Sequence, residues 1–120
     1  GLPAHPQHEF LTRVMNPGYG YGGIVAVDTG DVAKANRLMA RMQEEKVGYL
    51  AVSLGYFKTL FSPPGHSTSS EIPPEERRRM GMGEGLIRFS VGLDNDIEST
   101  WKTIESLFRE VGIAEPPRAA

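Results

Sequence analysis

The chain has no cysteine, which excludes disulfides and thiolate chemistry and fits a reducing compartment. It has no excess of basic residues either. Thirteen Lys and Arg stand against fifteen Asp and Glu, the net charge is -2 and the pI is near 5.9, so nothing argues for nucleic acid or an anionic membrane as a partner. The single basic cluster, Arg77-Arg78-Arg79, follows Glu75-Glu76 and reads as a solvated helix face. No apolar run approaches the roughly 18 residues of a membrane span, and the start does not resemble a signal peptide. The expectation is a soluble, cytoplasmic protein. His5 and His8 are three apart with no third ligand in company, so no metal site is expected. The glycines of Gly18-Tyr19-Gly20-Tyr21-Gly22-Gly23 lack the spacing and the following helix that a phosphate cradle needs. The chain opens on Gly1-Leu2-Pro3 without an initiator methionine, as a processed protein or a piece of a longer one would.

What the chain does have is 39% hydrophobic residues in 120, enough for one domain around one small core. Pro6 in a first turn, with Phe10, Leu11, Val14 and Met15 at helical spacing, predicts a short helix within 5–16. Ile24 to Val27 reads as a buried strand. Asp31 reads as an N-cap for a helix with the stripe Val32, Ala35, Leu38, Met39 and Met42, stopped by Gly48. Tyr49 to Leu54 is a second apolar strand, turning at Gly55. From Tyr56 to Pro64 the pattern is undecided, with Phe57, Leu60 and Phe61 near helical spacing before the Pro63-Pro64 break. Gly65 to Ser70 is a polar loop whose hydroxyls either cap helices or face a ligand. Pro74, Glu75 and Glu76 start a helix that is spent by Gly81. Asp94, Asn95 and Asp96 are successive N-cap candidates for the strongest helix, marked by Ile97, Trp101, Ile104, Phe108 and Val111 and ended by Gly112. The pattern predicts an α+β two-layer sandwich: three or four strands, mostly antiparallel, with helices on one face. One domain over 1–112 is followed by a tail over 113–120.

The stretch Gly85 to Asp94 organises the rest. Alternation places Ile87, Phe89, Val91 and Leu93 on a core face and turns Arg88 to the other. A guanidinium in an apolar strand needs a partner, because an unpaired buried charge is costly. Its planar fork suits a carboxylate, either an internal acid or one that a ligand brings.

Ala51-Val52-Ser53-Leu54-Gly55 and Gly85 to Asp94, together with the opening Gly1-Leu2-Pro3-Ala4-His5-Pro6-Gln7-His8, resemble the C-terminal domain of the cysteine/methionine metabolism family of pyridoxal-phosphate enzymes. The likeness runs to about residue 112 and is greatest with the methionine γ-lyase group. It implies the C-terminal domain of a fold-type I enzyme, in which Arg88 grips the α-carboxylate of an amino-acid substrate while Ser53 and the Leu54 backbone border the pocket. Thr68 falls where the family has Thr-His in a polar loop, but here Ser69 follows. Val52 stands where family members that handle cystathionine commonly have a glutamate. The resemblance therefore implies methionine elimination or replacement on an O-acylhomoserine.

The resemblance also implies pyridoxal 5'-phosphate held on an N-terminal catalytic domain of the same protein, and a homotetramer for the whole. None of Lys34, Lys46, Lys58 and Lys102 has the context of a Schiff-base lysine, so the chain is expected to carry no catalytic or cofactor-binding residue and to be inert alone. Two other readings remain open on the residues alone. One is a free-standing ligand-binding or regulatory domain that recognises an acidic metabolite; the other is a structural α+β module with Arg88 ion-paired inside.

Overall fold

A computed structural model describes residues 1–93 and 96–113. The elements run α1 (His8–Val14), β1 (Ile24–Asp28), α2 (Val32–Glu44), β2 (Tyr49–Leu50), β3 (Leu60–Ser62), α3 (Pro74–Arg79), β4 (Leu86–Ser90) and α4 (Ile97–Glu110). A 3-10 turn over Pro64–His66 links β3 to α3.

The four strands form one sheet in the order β1-β4-β3-β2. β4 pairs antiparallel with β1 and β3, while β2 joins β3 in parallel. The two long helices cover one face. Ala35, Leu38, Met39 and Met42 of α2 and Leu107, Phe108 and Val111 at the end of α4 meet Phe61, Ile87 and Phe89 of the central strands in a single core. The α+β two-layer sandwich is as expected, and β4 is an interior strand.

Local chemistry explains the helix ends. The Asp31 carboxylate accepts from the Lys34 amide at 2.8 Å, and Asp96 accepts from the Glu98 amide at 3.2 Å, so each satisfies a donor that the first turn leaves over. The other two cap candidates, Asp94 and Asn95, lie outside the described residues, as does Glu115-Pro116-Pro117 of the tail. Arg41 of α2 reaches Glu110 of α4 at 3.0 Å and also binds Glu44 and Glu45. Glu44 first, and then Glu110, raise its pKa further above the usual arginine range. Among the described residues no helix is long and apolar enough to cross a membrane, and no three His, Cys, Asp or Glu gather as a metal site.

Several expectations need correction. The first helix begins at His8, not at the Pro6 turn, because two tight turns come first: the His5 amide bonds Leu2 O and the His8 amide bonds His5 O. Its stripe is little covered, with Phe10 and Val14 exposed and Met15 half-buried. β1 was expected to be buried, but it is an edge strand from which only Val27 reaches the core. The α2 helix is closed by Lys46 in the left-handed region (φ 59), not by Gly48. Gly48 serves the neighbouring strand instead, for a Cβ there would lie 2.1 Å from the Thr59 carbonyl oxygen. The strand expected over 49–54 stops at Leu50, with one further bond from the Ala51 amide to Phe61 O. The undecided stretch contains β3, wholly buried. β4 ends at Ser90. Leu93, whose amide bonds Phe57 O at 2.7 Å, is 94% exposed and leaves the core face, while Val91 stays beside Phe89 and Ile104 as expected.

Candidate functional site

Residues directly opposite in an antiparallel pair project to the same face of a sheet. Arg88 in β4 stands opposite Ala26 of β1 on one side and Ser62 of β3 on the other. The two small neighbours leave the long arginine room to extend over the face that α2 and α4 do not cover.

Its Nη2 donates to the carbonyl oxygen of Val52 at 2.9 Å and to that of Ser53 at 3.3 Å. The segment after β2 is thus drawn onto β4 across the intervening β3, and this accounts for the early end of β2. Gly55, at φ +70, provides the turn that follows. Among the described residues no carboxylate pairs with Arg88, so the internal ion pair left open on the sequence is not formed there. The charge rests on two neutral carbonyls. Neutral acceptors orient a guanidinium without cancelling its charge, which leaves its attraction for an anion intact. Arg88 Nε and Ser62 Oγ are both buried with no hydrogen-bond partner.

The structure brings Arg88, Val52 and Ser53 together, with Ser53 acting through its carbonyl. The side chains of Val52 and Leu54, at 54% and 61% exposure, point away from any core. Thr68 is exposed in the turn after the 3-10 segment, and among the described residues no hydrogen bond ties it to Arg88. The neighbouring hydroxyls close on their own backbone, Ser67 onto Pro63 O and Ser70 onto Ser67 O. Arg77 of α3 pins the same loop by donating to Gly65 O. Sequence reasoning missed Ser62. Its only signal was a small polar residue closing the apolar pair Leu60-Phe61.

The Cys/Met metabolism PLP-dependent enzyme family matches residues 1–103. The chain belongs to this family. It is 44% identical over 109 residues, 90% of its length, to methionine gamma-lyase of Arabidopsis thaliana, of which the match covers 25%. Cystathionine gamma-lyase from Micromonospora echinospora shares 34% identity with a TM-score of 0.71, over 93% of this chain and 27% of that one. Cystathionine gamma-lyase from Lactobacillus plantarum, solved with L-serine, shares 26% with a TM-score of 0.78, over 93% and 28%. The chain spans about a quarter of the length of the curated relatives it matches.

The family's cofactor is pyridoxal phosphate, and the residues present do not fit its covalent anchor. Such a lysine needs a desolvated pocket to hold its amine neutral. Lys34 instead donates to Gly112 O at 3.1 Å on the surface, and Lys58 lies 5.8 Å from the ring centres of Tyr49 and Phe57. Lys46 and Lys102 are exposed.

Proposed function

We propose that this chain is the substrate-binding C-terminal part of a pyridoxal-phosphate-dependent sulfur amino-acid enzyme, in which Arg88 takes the substrate α-carboxylate. The observation that carries this is the Arg88 guanidinium itself, held by the Val52 and Ser53 carbonyls and paired with no acid among the described residues. An α-carboxylate supplies the missing charge and matches the fork. The cofactor and the groups that move protons belong to the remainder of the protein, and the complete protein assembles as a homotetramer. This chain's share of the work is to bind and orient. Val52 offers an apolar, uncharged wall beside the anchor, which favours a thioether or acylated side chain over one that ends in a second ammonium. Methionine or an O-acylhomoserine is therefore the preferred substrate.

The test is Arg88→Ala in the complete enzyme. Loss of a charged bidentate contact is worth about 2–5 kcal/mol, so kcat/KM should fall roughly 30-fold to several thousand-fold. Arg88→Lys should restore only part, since an ammonium is a point charge. Unchanged kcat/KM with lowered thermal stability would instead make Arg88 a structural residue. The isolated chain mixed with pyridoxal phosphate should show no stoichiometric aldimine band that borohydride traps. Such a band would mean that one of the four lysines is an anchor after all.

A further inference from the structure

The two orphaned polar atoms of the open face, Ser62 Oγ and Arg88 Nε, belong to register partners in β3 and β4. Paired Cα atoms lie about 4.5–5.5 Å apart, and their side chains stand side by side. Ser62 is 1% exposed, so its hydroxyl has no recourse to bulk water. Nε–H only donates, whereas a serine hydroxyl accepts as well as donates and moves between staggered positions by rotation about χ1. One bond between them would satisfy both atoms.

We infer that Ser62 is a positioning residue for Arg88, its Oγ accepting the Nε–H so that the guanidinium is held at two of its three nitrogens. Nη2 is already tied to Val52 and Ser53. With Nε tied as well, the plane of the fork can no longer swing about the side chain, and its Nη1 side is presented to the carboxylate. A preoriented fork loses less freedom on binding than a loose one. Ala26 provides the contrast, being the register partner on the other side, equally small and without a hydroxyl. Were room for the arginine the only requirement, alanine would serve at both positions. This inference rests on the reading of Arg88 as the carboxylate anchor.

The test uses the complete holoenzyme with methionine and its α-carboxamide, a neutral competitor for the same site. Ser62→Ala should weaken methionine about ten-fold, mostly in KM, the loss of one hydrogen bond to an ion. It should leave the Ki of the carboxamide unchanged, because the direction in which the Nη1 side points matters most to a charged carboxylate. Ser62→Thr, which keeps the hydroxyl, should retain most of the affinity, and Ser62→Cys, a poor acceptor of similar size, should fall between. Equal losses for both ligands, or none for either, would overturn the inference, and the Cys variant decides the matter if the Ala variant does not fold. Arg88→Ala separates the two levels. If it erases the preference for carboxylate over carboxamide while Ser62→Ala leaves that preference whole, only the role of Ser62 fails. If Arg88→Ala leaves the preference whole, the anchor itself fails.

Discussion

The two faces of β4 are finished to different degrees. On one, Ile87 and Phe89 sit under α2 and α4, at most 5% exposed, in contact with Phe61 and the helix stripes. On the other, Arg88 lies between Ala26 and Ser62 with an uncancelled charge and an unmade hydrogen bond, and the adjoining Val52 and Leu54 are open to solvent. A strand that alternates side chains can serve stability with one set and recognition with the other, and substitution should separate the two. The face under α2 and α4 answers to unfolding measurements; the opposite face, although Leu60, Ser62 and Ser90 are buried on it, answers at Arg88 to ligand measurements.

The sharpest separation comes from Phe61, which is fully buried. Phe61→Ala should cost about 3–5 kcal/mol in urea unfolding, the range for emptying an aromatic site in a close-packed core. Arg88→Ala, one strand away, loses its hydrogen bonds to the Val52 and Ser53 carbonyls but no ion pair among the described residues, so it should cost less, about 1–2 kcal/mol, while removing most of the activity. A large loss of stability from Arg88→Ala would break the division between the faces.

Val52 tests the open face from its rim. Val52→Glu in the complete enzyme places a carboxylate near the anchor, where it can pair with the distal ammonium of cystathionine and opposes an apolar side chain. The ratio of kcat/KM for cystathionine to that for methionine should rise by about 10-fold to 100-fold, equivalent to about 1.5–3 kcal/mol. Since the side chain is 54% exposed, the substitution should barely alter stability, and a destabilised variant would place Val52 with the core instead.

Legibility in the sequence follows the same division. The helices of the packed face were readable because caps and periodic stripes are local: Asp31 and Asp96 cap as their types suggest, and Ala35, Leu38, Met39 and Met42 fall inward at helical spacing. Arg88 was readable because a permanent charge breaks an apolar strand. β3 was not, for three residues with no polar alternation, flanked by Phe57 and two prolines, carry no period of their own. The exposure of β1 was equally hidden. Its β-branched residues suggest burial, but whether an edge is covered depends on what packs there, and α1 and α4 leave Ile24 and Val25 half open. Ser62 gained its meaning only from register, which pairs residues 26 positions apart.

Gly48 tests the joint that carries α2 into β2. A Cβ at this position would lie 2.1 Å from Thr59 O, and the contact is with backbone rather than with a side chain that can yield. Gly48→Ala must therefore push β2 away from the loop before β3. That disturbance should cost about 1–3 kcal/mol, as overpacking generally does. It should also loosen the segment that offers the Val52 and Ser53 carbonyls, raising KM somewhat. An unchanged KM with the full loss of stability would show that the rim is held by Arg88 alone.

The smallest effect is expected two residues earlier and in the opposite direction. Lys46 closes α2 at φ 59, a conformation costing an L-residue about 1–2 kcal/mol, and its exposed side chain gives nothing evident in return. Glycine adopts this conformation without strain but loses about 0.5–1 kcal/mol more backbone freedom on folding. Lys46→Gly should therefore stabilise the fold by about 0.5 kcal/mol in urea unfolding and leave kcat/KM untouched, because the change is confined to the end of α2 and the packed layer. A destabilised Lys46→Gly variant would mean that the lysine side chain contributes through the polar surface it shares with Glu45, Asp96 and Thr103, where α2 ends near the start of α4. A drop in kcat/KM without loss of stability would instead connect the helix end to the Arg88 face and weaken the separation of the two.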